Sequence, residues 1–183
     1  WSNMGIEHFQ KLGADVSALR IIDRASADDP QFESTLEAAD LIYFSGGDPH
    51  YLYQTLNGSR AWNAAQKAWA RGAIYAGCSA GAMILGQKLP NFRMFGNGTP
   101  SAFGVMSASY VLPHFDAMPA MFKPMVAALR KALKDGEYAL GVDEDTALVG
   151  RLGGEWQVLG AGQVHVMSRN SDKSYRSGEQ VSL

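Results

Sequence analysis

The sequence predicts an α/β fold, a three-layer α/β/α arrangement with a mostly parallel sheet. Two observations lead there. Short apolar runs alternate with segments whose apolar residues recur at helical spacing, the pattern of a parallel sheet covered by helices on both faces. The chain has 183 residues and 46% apolar content, enough for one domain (1–183) with a sizeable core.

Residues 3–13 read as a helix ending at Gly13, and "DVSALRII" (15–22) as a strand with an apolar second half. "PQFESTLEAA" (30–39) is a short helix opening at a proline, which suits a first helical turn. "DLIYFSGGD" (40–48) is a buried strand running into a Gly-Gly turn. "RAWNAAQKAWAR" (60–71) has apolar groups at helical spacing, with Gly72 as its stop. "AIYAG" is the next strand, and "AGAMILG" opens the next helix. "QKLPNFRMFGNGTPSAFG" is rich in Gly, Pro and Asn and reads as a surface loop. "VMSASYVLPHF" is a strand ending at His114, and a helix begins near Pro124. "YALGVDEDTALVG", "EWQVLGAG" and "QVHVMS" are strands and turns, and the polar tail "RNSDKSYRSGEQVSL" is expected on the surface.

Charged residues are 19% of the chain and the net charge is −2, so nothing electrostatic points to nucleic acid or to an anionic membrane. No apolar run is long enough to span a bilayer. The single cysteine, Cys78, excludes an internal disulfide and any multi-cysteine metal site. A reducing, cytoplasmic setting fits, and a homodimer stays open. The chain opens "WSNMGIEHFQ", without an initiator methionine, so a trimmed or partial chain is expected.

Gly77-Cys78-Ser79-Ala80-Gly81 falls where an apolar strand hands over to a helix. G-x-S-x-G at such a junction is the pattern of a nucleophile elbow. The serine backbone takes a strained turn, and the glycines let two chain segments approach without Cβ clashes. The hydroxyl then stands clear of the sheet, with the N–H of Ala80 facing the same space. "IYFSGGD" puts Gly47 at the same edge of the sheet, where it can donate the second oxyanion hydrogen bond; an ordinary strand-ending turn is the alternative.

Taken together, "DLIYFSGGD", "AIYAGCSAGA", "YVLPHF" and "ALGVDEDTALV" resemble, in order and spacing, the serine peptidases that include peptidase E (aspartyl dipeptidase) and cyanophycinase. The resemblance spans roughly residues 1 to 168. It implies a flavodoxin-like sheet related to class I glutamine amidotransferases, with serine in place of the amidotransferase cysteine. The family's opening strand region has no counterpart here, so the chain is expected to be N-terminally incomplete relative to its relatives.

An activated serine needs a base, and the base needs an orienting acid. Of the four histidines, His8 sits among polar neighbours and His165 alternates with valines. His50 follows the Gly-Gly turn, whereas His114 ends an apolar strand, the more rigid platform. The resemblance also places the base on His114. Peptidase E relatives take an aspartate soon after the serine, yet Ala80 to Pro113 contains no Asp or Glu, and Met94 stands about there. Cyanophycinase-like relatives use a glutamate that maps to Glu144, with Asp143, Asp145 and Asp116 as local competitors. Cys78 precedes the nucleophile position and is not read as the nucleophile.

The expected reaction is acyl transfer from a small peptide to water, with no metal and no cofactor. The resemblance implies cleavage next to aspartate. Arg93 and Lys88 in the loop after the elbow are candidates for an acidic substrate group, and Asp48 and Asp116 for further substrate contact. Pro49 after "GGD", and the apolar "HFDAMPAMFKP" where cyanophycinase relatives are arginine-rich, depart from the cyanophycinase pattern. Two alternatives are a catalytically silent binding member and an α/β-hydrolase esterase. In the latter the acid precedes the histidine in the chain, whereas here the best acid follows it.

Overall fold

The computed structural model describes residues 2–91 and 100–183. Arg93 and Met94, and with them the middle of the expected loop, lie outside the described residues. The chain forms two compact units, one of residues 1–40 and 55–73, the other of 41–54 and 74–183.

The first unit is helical. It holds α1 (Ser2–Lys11), α2 (Arg24–Ala27), a 3-10 turn at Pro30–Phe32, α3 (Glu33–Ala38) and the long helix α5 (Arg60–Arg71). Ser59 caps α5, its Oγ accepting from Trp62 N at 3.1 Å. Gly72 ends the helix with φ 114°, a left-handed conformation that suits glycine. Ala61, Trp62, Ala64, Ala65 and Ala68 form its buried face. Arg60–Glu33 (2.8 Å) and Lys67–Glu37 (2.7 Å) tie it to the α3 region. The expected strand at 15–22 is not one: it joins no sheet among the described residues, and Ile22 is 66% exposed. A strand is stable only as half of a hydrogen-bonded pair, and here strand propensity meets no partner.

The second unit carries all nine strands of the described residues. β1 (Leu41–Phe44) and β2 (Ile74–Gly77) pair in parallel, with Leu41 opposite Ile74 and Phe44 opposite Gly77. Helix α4 (Pro49–Leu56) starts in this unit just after β1. Pro49 sits in its first turn, and Asp48 Oδ1 accepts from His50 N and Tyr51 N. The short helix α6 (Ala80–Met83) follows β2 directly.

Downstream, β3 (Tyr110–Pro113) runs parallel to β4 (Ala139–Val142), and helix α7 (Lys123–Ala132) lies between them in the chain. β7 (Gln163–Met167) and β8 (Asp172–Arg176) extend that sheet antiparallel. β5 (Thr146–Gly150), β6 (Glu155–Gly160) and β9 (Gln180–Ser182) form a separate antiparallel sheet. The parallel pairs are therefore β1–β2 and β3–β4, within a mixed α/β architecture.

Alternation along β3 and β4 divides the core in two. Tyr110, Leu112 and Ala139 face Leu133 and, from α7, Val126 and Leu129. Val111 and Leu140 face Val158 of β6, Val164 of β7 and Val181 of β9. The polar tail is thus not plain surface. Its backbone makes the edge strand β8, and Val181 anchors β9 at 1% exposure. Sequence polarity hides such strands, because an edge ladder is made by backbone groups. Leu140, 1% exposed at the centre of this core, is expected to cost about 3 kcal/mol on truncation to alanine, read from urea unfolding.

Candidate active site

Three segments meet at the end of β2. The carbonyl of Phe44 accepts from Cys78 N at 3.1 Å. A Cβ on Gly81 would stand 2.2 Å from that same carbonyl oxygen, and a Cβ on Gly77 would stand 2.5 Å from Gly81 O. Both glycines of G-x-S-x-G are therefore required by backbone meeting backbone. Tyr75, stacked on Phe44 at 4.8 Å, donates its hydroxyl to Gly81 O at 2.7 Å and fastens the approach. Burial raises the Tyr75 phenol, which keeps it a donor.

Between the glycines Ser79 takes φ 50° and ψ −118° and caps α6. Such a backbone is costly for any residue with a Cβ and persists only where the surroundings over-determine it. The carbonyl of Ser79 accepts from Ala82 N and Met83 N at 3.0 Å. The N–H groups of Ala80 and Gly47 have no acceptor among the described residues. Gly47 has φ 140° and is exposed. Gly46, which the sequence reading passed over, is the glycine beside the hydroxyl: its Cβ would meet Ser79 Cβ at 3.0 Å and Oγ at 3.3 Å. The signal was present in the Gly-Gly pair, but only the packing says which member touches serine. Cys78 is exposed, and its thiol meets the Tyr43 hydroxyl, whose pKa is pushed up to about 12, first by burial and then by that contact.

The second group lies at the end of β3. His114 takes φ 53°, and its Nδ1 is 3.0 Å from Glu144 Oε1, both side chains 54% exposed. A contact so open to water contributes only about 0–1 kcal/mol to stability, so its geometry must be held by backbone. The turn after β4 supplies that hold. Asp116 Oδ1 accepts from Glu144 N at 2.8 Å, and Glu144 O accepts from Thr146 Oγ1 at 2.9 Å. Thr146 Oγ1 in turn accepts from Gly162 N at 2.9 Å. Asp145 completes the turn with φ 51°.

Among the four candidate acids, Glu144 is the one on His114. Asp116 supports the Glu144 backbone, and the Glu144 N–H holds the Asp116 carboxyl below its ordinary value. Asp143 faces the other way, toward Gln163 N and His165. His50 Nε2 lies 3.3 Å from Pro90 O, and His8 stacks edge-on with Phe9. Asp48 commits one oxygen to capping α4, and Lys88 pairs with Glu137 at 3.3 Å. No hydrogen bond joins Ser79 Oγ to His114 among the described residues. Both belong to the second unit, and α6 packs against β1, β2 and β3. Serine–histidine hydrogen bonds often tighten only when substrate arrives. No group of three or more potential metal ligands occurs among the described residues.

Two outcomes follow from this geometry. Gly81→Ala is expected to lose about 3 kcal/mol by urea unfolding, because its methyl meets a fixed carbonyl, whereas Gly5→Ala, with open space around it, loses none. The Asp116 contact stabilises the turn fully above 3.8, the ordinary carboxyl value, and fades as pH falls below that through the lowered folded value. Hydrogen-exchange protection of the Glu144 amide therefore holds down to that pH, and Asp116→Ala removes it at every pH.

The comparisons with known proteins bear on the family and the fold. The model of Peptidase family S51 matches residues 3–155. A cyanophycinase of Nostoc sp. (strain PCC 7120) is 28% identical over 173 residues, covering 88% of this chain and 56% of its own length. A cyanophycinase of Synechococcus elongatus is 26% identical over 186 residues, 96% of this chain and again 56% of the relative. The chain thus spans little more than half the length of these curated relatives. A crystal structure of a peptidase from an acI-B1 Actinobacterium superposes with a TM-score of 0.87 at 36% identity, over all of this chain and 75% of that one. The match over most of the sequence, on an α/β architecture of the flavodoxin-like kind, shows that the chain belongs to Peptidase family S51.

Proposed function

We propose that the protein is a serine-type peptidase acting on small peptides, with Ser79 as nucleophile, His114 as general base and Glu144 as the acid that orients it. One observation carries the reading. The three non-glycine residues with positive φ among the described residues are Ser79, His114 and Asp145, the last next to Glu144. Backbone strain of this kind collects where a side chain must be aimed, and here it falls on the proposed nucleophile, on the proposed base and on the residue beside the proposed acid.

The chemistry follows from the roles. His114 Nε2 takes the Ser79 proton as Oγ attacks the amide carbon, and Glu144 at Nδ1 holds the tautomer and steadies the imidazolium. The oxyanion accepts from the free N–H groups of Gly47 and Ala80, each donor worth about 10²–10³ in rate. His114 then passes the proton to the leaving amine. Water attacks the acyl-serine carbonyl, giving its own proton to His114, and the acid product leaves as Oγ is reprotonated.

The substrate assigned is a dipeptide or peptide end with aspartate beside the scissile bond. The family resemblance implies this class, and Arg93, which lies outside the described residues, is the cation proposed for the acidic side chain. An esterase of the α/β-hydrolase kind is disfavoured because the acid on His114 follows it in the chain. The test is a panel of Asp-X, β-Asp-X and neutral dipeptides with the full-length protein. Ser79→Ala is expected to lower kcat/KM on the Asp substrates by at least about 10³-fold. Full hydrolysis by Ser79→Ala would overturn the assignment.

A further inference from the structure

We propose that Asp143 and His165 are positioning residues that hold the His114–Glu144 pair in register, an inference that rests on the peptidase reading above. Asp143 immediately precedes Glu144, and its side chain is 9% exposed. Its Oδ2 accepts from Gln163 N at 2.9 Å. Its Oδ1 is buried without an aligned hydrogen-bond donor and faces His165 Nε2 at 3.3 Å. A carboxylate oxygen facing a ring nitrogen calls for an N–H there, so Ser174 Oγ, 3.0 Å from His165 Nδ1, completes the ring's contacts on the other side.

His165 also reaches the base. It stands opposite Gly141 in the β4–β7 register. Because position 141 has no side chain, the Phe115 ring settles there; a Cβ on Gly141 would be 2.7 Å from it. Phe115 then meets the His165 ring with centroids 4.8 Å apart. Phe115 follows His114, and its N–H donates to Val142 O at 3.1 Å. One imidazole, 20% exposed, therefore touches the neighbour of the base through Phe115 and the neighbour of the acid through Asp143.

A largely buried carboxylate facing a half-buried imidazole is a poor choice for stability alone, since apolar residues of similar size serve there as well or better. They suit a place where direction matters. The pair they support is exposed and weakly bound to itself, so small shifts of either backbone would separate it. Ser174–His165–Asp143 mimics a second catalytic triad in composition, but Ser174 lies within the straight edge strand β8, not on a strained turn. The two residues orient others and touch no reacting atom.

The test uses the full-length protein with Asp143→Asn, His165→Leu, His165→Gln, Phe115→Leu and Ser79→Ala. Asp143→Asn and His165→Leu are expected to lower kcat by about 10–100-fold with KM within about twofold. His165→Gln, which keeps a donor toward Asp143, is expected to stay within about threefold of the parent. The His114 Nδ1–H proton signal in NMR is expected to broaden or vanish in Asp143→Asn, and also in Phe115→Leu, which cuts the other route and serves should Asp143→Asn fail to fold. Parental kcat in Asp143→Asn and His165→Leu, with Ser79→Ala inactive, overturns this inference and leaves the peptidase reading standing. Equal losses in His165→Gln and His165→Leu that track the melting temperature overturn it in favour of plain core stability. An active Ser79→Ala removes the peptidase reading instead, and the His114 proton signal then decides the positioning claim: unchanged in the folded variants, it is wrong.

Discussion

One carbonyl oxygen, that of Phe44, organises the surroundings of Ser79. It ends β1, receives the Cys78 N–H, and lies where a side chain on Gly81 would have to be. Backbone of β1, of the turn after β2 and of the first turn of α6 are thereby brought within contact of one another. Glycine costs conformational entropy on folding, and here it is spent where no other residue fits. The strain at Ser79 is a consequence: with its neighbours locked, the serine has one conformation left, and that conformation aims the hydroxyl past Gly46.

The His114–Glu144 pair follows a different logic. His114 and Glu144 are exposed, and their mutual attraction is screened by water. Rigidity has to come from behind them. The turn carrying Glu144 is held by Asp116 on one side and by Thr146 and Gly162 on the other. The strand end carrying His114 is held by Phe115 in the space Gly141 leaves. Polar groups withdrawn from water are expensive unless paired, so finding Asp143 largely buried against a half-buried His165 marks a place where orientation outweighs packing.

Much of this was legible from residue order. Helix α5 announced itself by its alanine-rich stripe, its Ser59 cap and its Gly72 stop, all local signals. The elbow was legible because sterics at a strand-to-helix turn restrict it to small residues. Three things were not. Residues 15–22 carry strand-like residues but find no ladder partner. Residues 172–182 look polar and solvated, yet pair through their backbones as β8 and β9. The helix after Asp48 was hidden because Pro49 reads as a departure from a family pattern before it reads as a first helical turn.

The sequence by itself determined the alternation of apolar runs and helices, the glycine-flanked serine, and the short list of histidines and acids, because each depends on a side chain or on a spacing of a few residues. Only the tertiary structure decided that Gly46 is the glycine against Ser79 and that Asp143 turns inward to His165, and it put Glu144, the acid to which the resemblance pointed, on His114. Asp116, beside His114 in the chain, and the three acids at 143–145 are equivalent by residue type until a turn is closed. The left-handed backbone at Asp145, and the hydrogen bonds that close the turn, send Glu144 outward and Asp143 into the core.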